Sequence, residues 1–339
     1  MRSTFSLPMR TMLMESRFRI PARFSGSAER KSNPKPGETR CRPCGNREHS
    51  TGVTILVLRC YRRFDPDRAS LFLLTCATTR IILFVMQTKT WPLHDLTLKA
   101  LDLPSLVAFY EEFGFRLTGR SNDRTVLAAG DGTRLTLRQL ADGRPRPRKT
   151  AGLFHFALLL PDRAFLGAFV RFVSRKSFHF VGAADHLVSE SLYFSDPEDN
   201  GIEVYADRER HLWEWEGNAV KMATIALDLE ELARLPGPEW SGFPPGTRLG
   251  HMHLTVGNLE RSVEFYEALG LKMTLDWDTF KFLSWDGYHH HLALNLVEGR
   301  NAAPVAPEFA GLESFSIESK SFSQEVLDPN GIRLVAPPA

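Results

Sequence analysis

Residues 253–273, HLTVGNLERSVEFYEALGLKM, repeat the pattern of residues 96–117, LTLKALDLPSLVAFYEEFGFRL. In both stretches an alternating apolar run predicts a strand, a polar turn follows, and apolar residues then recur every three to four positions, as on one face of a helix. Gly114 and Gly270 stand where a left-handed cap would end each helix. An internal repeat of this kind predicts a fold built from copies of one unit.

A second repeated motif closes the units. Residues 196–205, DPEDNGIEVY, recur as DPNGIRLV at 328–335, and each joins a tight Asn-Gly turn to a strand. Together the two motifs predict four βαβββ modules, the last truncated because its segment is too short for a crossover helix. The predicted fold class is therefore α+β, with the modules paired side by side into two curved mixed sheets.

The repeat also predicts the division of the chain. The predicted segments are 86–145 for module 1, 150–208 for module 2, 209–248 for a linker, 249–300 for module 3 and 308–339 for the truncated module 4. Residues 1–85 hold 16 Lys and Arg against 6 Asp and Glu, whereas the remainder holds 26 against 34. Because they show no sustained period, we expect residues 1–85 to be a disordered or spurious extension ahead of a natural start near Met86.

Composition narrows the classes of function. The acidic remainder has no basic stripe, which argues against a nucleic-acid partner. All four cysteines lie in residues 1–85, so no disulfide framework is predicted for the modules, as is typical of a cytoplasmic protein. The apolar stretch 70–86 is short and interrupted by Arg80, which argues against a membrane anchor. The sequence does not decide whether the protein forms a homo-oligomer.

Alignment of the modules shows which of them carry ligand-type side chains. The first strands present, in chain order, Asp95, His155, His251 and Leu312. Two residues after the turn glycine, the last strands of modules 1, 2 and 4 carry Arg134, Glu203 and Arg333. A single strand histidine is usually a core residue, but two imidazoles and one carboxylate at equivalent positions suit Fe(II) or Mn(II) and leave positions open for substrate and O₂. The sequence therefore predicts a metal site of His155, Glu203 and His251.

Further polar residues surround this trio in the sequence. His253 shares a strand face with His251 and competes with it for the ligand role. In module 3 the turn at Asp286-Gly287 leads to His289 and His291, which we expect to share a face, with His290 pointing away. Either could be a fourth ligand, although a substrate-facing role is favoured, as for His253. His186 is a candidate acid or base, and Tyr193, which could lie beside Glu203 in the sheet, is a candidate donor to a bound phenolate.

The repeat and four segments resemble the catechol-2,3-dioxygenase-like branch of the vicinal oxygen chelate superfamily, which also contains glyoxalase I, bleomycin-resistance proteins and extradiol dioxygenases. The segments are GLFHFALLLPDR (152–163), DHLVSESLYFSDPEDNGIEVYADR (185–208), GHMHLTVGNLERSVEFY (250–266) and GYHHHLALNLVEGRNA (287–302). The resemblance covers about residues 87–336. It implies two first-strand histidine ligands, a last-strand glutamate ligand and a tyrosine ten residues before it, which here are His155, His251, Glu203 and Tyr193.

By this resemblance the chain would be an extradiol dioxygenase that uses Fe(II), with Mn(II) as an alternative, a small aromatic diol and O₂. His186, which stands closer to the tyrosine than in that branch, would take a phenolic proton. Two alternatives stay open. A fourth ligand, His289 or His291, would favour a glyoxalase-like isomerase or hydrolase with Zn, Ni or Mn, and a site without metal would favour a binding protein of the bleomycin-resistance type.

Overall fold

The computed structural model describes residues 91–318 and 324–337, together with the backbone of two earlier strands, β1 (Leu74–Cys76) and β2 (Thr79–Ile81). These two strands pair antiparallel in a sheet of their own. The prediction that residues 1–85 are a disordered or spurious extension otherwise lies outside the described residues.

Modules 1 and 2 are complete βαβββ units. Module 1 consists of β3, α1, β4, β5 and β6, with the bounds Leu93–Ala100, Leu103–Phe113, Arg116–Arg120, Arg124–Ala129 and Thr133–Gln139. Module 2 consists of β7, α2, β8, β9 and β10, with the bounds Gly152–Leu159, Arg163–Val173, His179–Asp185, Ser189–Ser195 and Gly201–Asp207. The linker after β10 holds a single 3₁₀ turn, β11, β12 and α3, with the bounds Arg210–Leu212, Trp215–Glu216, Ala219–Val220 and Leu229–Arg234.

Module 3 repeats the complete unit, and module 4 is truncated. Module 3 consists of β13, α4, β14, β15 and β16, with the bounds Arg248–Thr255, Leu259–Ala268, Lys272–Trp277, Phe280–Ser284 and Leu292–Asn295. Module 4 consists of β17, β18 and β19, with the bounds Gly311–Ile317, Glu325–Leu327 and Arg333–Val335. No helix is present in the described part of module 4, as its short sequence predicts. No helix within the described ranges is both long and apolar enough to cross a membrane.

The modules pair into two mixed sheets. Modules 2 and 3 form an eight-stranded sheet in the order β14-β15-β16-β13-β7-β10-β9-β8, and modules 4 and 1 form a seven-stranded sheet in the order β18-β19-β17-β3-β6-β5-β4. In each sheet the first strands of two modules meet antiparallel, β13 beside β7 and β17 beside β3. The predicted α+β fold of repeated βαβββ modules in two mixed sheets is therefore confirmed.

Local chemistry explains where the helices begin and end. The side chains of Asp102, Asp162 and Asn258 accept hydrogen bonds from backbone N–H groups in the first turns of α1, α2 and α4. Gly114 and Gly270 follow α1 and α4 with φ of 118° and 98°, so the predicted left-handed positions are confirmed. One continuous apolar core contains side chains from both sheets and from these helices.

The Asp-Pro turns tie neighbouring modules together. The Tyr110 hydroxyl of α1 donates to Asp196 Oδ2 at 2.8 Å, and the Tyr266 hydroxyl of α4 donates to Asp328 Oδ2 at 3.1 Å. Each aspartate also accepts backbone N–H groups within its own turn. We call these two hydrogen bonds tyrosine clamps. The clamp from Tyr110 to Asp196 links module 1 to module 2, and its turn leads into β10. The clamp from Tyr266 to Asp328 links module 3 to module 4, and its turn leads into β19.

Candidate metal centre

The three predicted ligands lie on adjacent strands at the middle of the eight-stranded sheet. His155 is on β7, Glu203 on β10 and His251 on β13, with β7 in the centre. Ala157 of β7 is paired with Glu203 on one side and with His251 on the other. Because alternate residues of a strand share a face, Ala157 points to the same side as His155. Its methyl group leaves the space between the two flanking ligands open.

The ligand atoms converge. His155 Nε2 lies 2.9 Å and His251 Nε2 lies 3.0 Å from Glu203 Oε2, and the two Nε2 atoms are 3.4 Å apart. All three residues are buried. His155, Glu203 and His251 form the one His/Cys/Asp/Glu group, among the residues the structure describes, whose ligand atoms cluster closely enough to hold a metal ion. The structure therefore brings these three predicted side chains together.

The protonation states fit a cation. Burial lowers the pKa of His251 to about 4, so its imidazole is neutral near pH 7. Burial opposes ionisation of Glu203, but the electrostatic attraction of the His251 ring and the hydrogen bonds from His155 and His251 outweigh it and hold the pKa of that carboxyl well below its ordinary value. An ionised carboxylate and imidazole nitrogens aimed at one point are the donor set that a divalent metal ion requires.

A glycine permits the close approach of β10 to β7. Gly201 pairs with His155, and a Cβ atom at position 201 would lie 2.1 Å from the Phe154 carbonyl oxygen and 2.9 Å from His155 Cβ. No side chain fits at these distances. The glycine of the Asn-Gly turn therefore allows β10 to lie close to β7. This brings Glu203, two residues further along β10, within reach of the two histidines.

His186 and Tyr193 form a hydrogen-bonded pair beside the ligands. Tyr193 is paired with Glu203 across β9 and β10, so the expected proximity of these two residues is confirmed. His186 Nδ1 lies 2.7 Å from the Ala223 carbonyl oxygen, which can only accept a hydrogen bond, so Nδ1 carries the proton. In the neutral imidazole, Nε2 then accepts from the Tyr193 hydroxyl at 2.7 Å. Burial, followed by the Glu203 charge, raises the pKa of Tyr193 well above its ordinary value.

The histidines of module 3 are arranged differently from the expectation. His253 and His290 line the cavity beside the ligands, whereas His289 and His291 are absent from its lining. His289 Nε2 bonds to Asp207 Oδ1 at 3.0 Å, and His291 Nδ1 lies 3.0 Å from Ser284 Oγ. The alignment of the modules predicts the opposite arrangement, with His289 or His291 equivalent to Glu203 and His290 pointing away from the site.

Strand register explains the difference. In module 2, Glu203 pairs with Ala157, which is two residues beyond His155. In module 3, the residue two beyond His251 is His253, and it pairs with Ala293. Ala293 is therefore the counterpart of Glu203. The stretch 285–291 forms a longer loop than the Asp-Pro turn, so β16 begins only at Leu292 and His289 and His291 precede it. Neither belongs to the described ligand cluster.

The cavity contains residues that the sequence did not indicate. Its empty volume is about 390 Å³, including open solvent at its mouth. The lining comprises the three candidate ligands, the other polar residues named above together with Ser189 and Thr224, and an apolar side with Met222, Ala223, Trp277 and Phe282. Met222 and Ala223 come from the predicted linker. Nothing in a sequence read residue by residue indicates that a linker crosses a cavity, because the contact depends on tertiary structure.

Sequence comparisons relate the chain to a family of known proteins. The family model described as Glyoxalase/Bleomycin resistance protein/Dioxygenase superfamily matches residues 93–204 and 248–339. A Bacillus subtilis protein named catechol-2,3-dioxygenase is 38% identical over 234 residues, covering 66% of this chain and 80% of the relative.

Solved structures are also similar to this chain. A putative dioxygenase from Bacillus subtilis matches with a TM-score of 0.50 and 12% identity, over 74% of this chain and 86% of that chain. Glyoxalase I from Zea mays matches with a TM-score of 0.44 and 16% identity, over 72% of this chain and 91% of that chain. The family model spans more than half of this chain, and the chain belongs to the glyoxalase/bleomycin resistance protein/dioxygenase superfamily, that is, the vicinal oxygen chelate superfamily.

Proposed function

We propose that this protein is a metal-dependent extradiol dioxygenase that opens the aromatic ring of a catechol-type substrate with O₂. The observation that carries the proposal is the buried convergence of His155, Glu203 and His251 beside a cavity. Fe(II), with Mn(II) as the alternative, would be held by these three residues and would supply redox chemistry between the diol and O₂. The name of the 38% identical relative supports the same reaction.

The number of ligands favours a dioxygenase over the glyoxalase-like alternative. The described cluster offers one carboxylate and two imidazoles. Ala293 stands where a second carboxylate would complete a four-ligand set, and a methyl group cannot coordinate a metal ion. Three ligands leave the remaining coordination positions to the diol and O₂. The ionised Glu203 and the neutral imidazole of His251 favour a loaded site over the metal-free binding protein.

His186 and Tyr193 would move a phenolic proton. A substrate hydroxyl close to Tyr193 can pass its proton to the Tyr193 oxygen while Tyr193 passes its own to His186 Nε2. The His186 Nδ1–H bond to the Ala223 carbonyl, 2.7 Å long, would stabilise the resulting imidazolium. The pair therefore acts as a general base for a substrate oxygen without direct contact between His186 and the ring.

His253 and His290 would contact the substrate from the module 3 side. His253 Nε2 is buried without a hydrogen-bond partner, although the residue lines the cavity. Because a buried polar atom without a partner is costly, a substrate oxygen is a suitable partner for it. His290 is stacked on Phe282, with ring centroids 4.4 Å apart, and lies 4.1 Å from the His251 ring. Burial lowers the pKa of both residues, which favours neutral rings.

The overall reaction balances without a further reductant. The ring bond beside the two hydroxyl-bearing carbons breaks, and both atoms of O₂ enter the product, one in the new carboxylate and one in the new aldehyde. The ring carbons supply the four electrons that reduce O₂. The product is a muconic semialdehyde.

A panel of metals and substrates tests the proposal. The full chain is loaded anaerobically with Fe(II), Mn(II), Zn(II) or Ni(II), and each form is given catechol with O₂ or, separately, the hemithioacetal of methylglyoxal. We expect O₂ uptake and a yellow product with Fe(II), and Glu203→Ala should lose both the metal and the activity. Isomerisation of the hemithioacetal by the Zn(II) or Ni(II) form, with no O₂ uptake by any form, would establish the glyoxalase-like alternative.

A further inference from the structure

We infer that the catechol carries an apolar, uncharged substituent and that Met222 on the linker is the residue that selects it. This inference rests on the proposed function and names its substrate class. It depends on the apolar side of the cavity, which lines the same space as the candidate ligands and which neither the repeat nor the superfamily match explains.

The cavity has a polar floor and an apolar, more open side. The three ligands are at most 5% exposed, whereas Trp277 is 39% exposed and Met222 and Thr224 are half-buried. The two hydroxyl groups of a catechol must face the ligands for ring cleavage. The opposite edge of the ring, with any substituent, then points toward Met222 and Trp277.

Aromatic rings form one continuous wall of this side. Trp277 and Phe282 have ring centroids 6.0 Å apart, and Phe282 is stacked on His290 at 4.4 Å. Met222 packs against two apolar clusters that flank the cavity, one of which contains Phe282. An alkyl group that enters between these side chains loses contact with water, and each buried methylene strengthens binding by about fourfold.

The linker that carries Met222 is fixed to module 2. Asp185 and Ile225 exchange backbone hydrogen bonds of 2.9 and 3.0 Å, and Ala223 accepts the bond from His186 Nδ1. This strap, residues 222–225, therefore holds Met222 at a defined place in the cavity wall. The same segment orients the proposed base and delimits the substrate.

The cavity lining offers no side-chain cation to an anionic substituent. The described lining contains histidines but neither lysine nor arginine. Lys221, next to Met222 in the chain, already pairs with Glu214 at 2.7 Å. A carboxylate on the ring would be desolvated against Met222 and Trp277 without a cation to receive it, which is unfavourable.

Anaerobic binding measures the selection directly. Calorimetric titrations of the Fe(II)-loaded full chain with catechol, methylcatechol, ethylcatechol and protocatechuate, whose substituent is a carboxylate, give dissociation constants independently of turnover. We expect about fourfold tighter binding per added methylene and binding of protocatechuate weaker than that of catechol by about tenfold or more.

Variants at position 222 identify the selecting residue. Met222→Ala should remove most of the gain from the alkyl groups, and Met222→Lys should strengthen protocatechuate binding and weaken ethylcatechol binding. Leu212→Lys, which adds the same charge to an exposed position of the linker outside the cavity, should change neither.

Each outcome decides a separate claim. Protocatechuate binding as tight as catechol binding, or an unchanged order of affinities in both Met222 variants, would overturn the inference and leave the proposed function standing. Failure of every catechol to bind the iron-loaded protein would refute the proposed function, and the inference with it.

Discussion

His155 Nε2 and His251 Nε2 lie 3.4 Å apart, although the two residues are 96 positions apart in the chain. The antiparallel pairing of β7 and β13 brings them together, and this pairing joins two copies of the same module. Neither module supplies the complete ligand set, because module 2 provides one histidine and the glutamate and module 3 provides the other histidine. The site therefore exists only in the paired sheet.

Ala157→Leu should abolish metal binding. Ala157 is fully buried between Glu203 and His251, so a larger side chain there would occupy the space between the ligand atoms. Metal stoichiometry after anaerobic loading and desalting measures the effect, and circular dichroism checks the fold. Ala157→Gly leaves the space open and should retain the metal. A folded Ala157→Leu protein with one bound metal ion would contradict the geometry.

Tyr193→Phe should lower turnover by roughly a hundredfold and leave the metal in place. The change removes the hydroxyl that bonds to His186 Nε2 but no ligand atom. Steady-state O₂ uptake and metal content of the same sample test both parts. Tyr205→Phe, which removes a buried tyrosine hydroxyl bonded to Tyr288 outside the cavity lining, provides the comparison. Unchanged turnover in Tyr193→Phe would remove the tyrosine from the proton path.

The two tyrosine clamps offer a matched pair. Tyr110→Phe and Tyr266→Phe each remove a buried hydrogen bond to an aspartate, and we expect each to lower the free energy of unfolding by about 1 to 3 kcal/mol, as measured in urea. Only Tyr110→Phe should also weaken metal binding, since its turn leads into β10 and Glu203. Equal metal affinity in the two variants would show that the clamp does not position the ligand.

The metal-free protein should lose stability as the pH falls from about 6.5 to 4. His251 has the ordinary histidine pKa of 6.5 in the unfolded chain and a pKa of about 4 in the folded protein. Between pH 6.5 and 4, therefore, only the unfolded chain takes up this proton. At pH 4 this group alone lowers the free energy of unfolding by about 3 kcal/mol. Burial also lowers the pKa of four neighbouring histidines, His186, His253, His290 and His291.

Two buried carboxyl groups act in the opposite sense. Burial raises the pKa of Asp196 and of Asp328, so the fold takes up their protons more readily than the unfolded chain does. Because five histidines act in one direction and two aspartates in the other, we expect a net loss of stability as the pH falls. Melting temperatures of metal-free protein across this pH range provide the measurement. A flat profile from pH 6.5 to 4 would be inconsistent with neutral buried imidazoles.

Local patterns in the sequence predicted the modules and the three candidate ligands. Periodicity and the caps at Gly114 and Gly270 located the helices, because both are determined by residues within a few positions of one another. The trio of ligands followed from module equivalence, since equivalent strand positions face the same side of equivalent modules. The family match adds independent support to the same architecture.

The remaining features of the site depend on contacts between distant segments. The sequence did not reveal that β16 begins at Leu292, because Asp286-Gly287 has the composition of a tight turn and only pairing with β13 fixes the register. It also gave no sign that Met222 and Ala223 reach the cavity, since their position depends on the bridge between Asp185 and Ile225. Both features result from tertiary pairing.

The stoichiometry of O₂ consumption tests the central claim most directly. Protein loaded anaerobically with one Fe(II) per chain is mixed with a limiting amount of catechol in air-saturated buffer, and an oxygen electrode and a spectrophotometer record the reaction. We predict that one O₂ is consumed for each catechol, that a yellow ring-opened semialdehyde accumulates and that no hydrogen peroxide forms. Catechol left intact, with iron still bound by His155, Glu203 and His251, would contradict the assignment of this site as an extradiol dioxygenase.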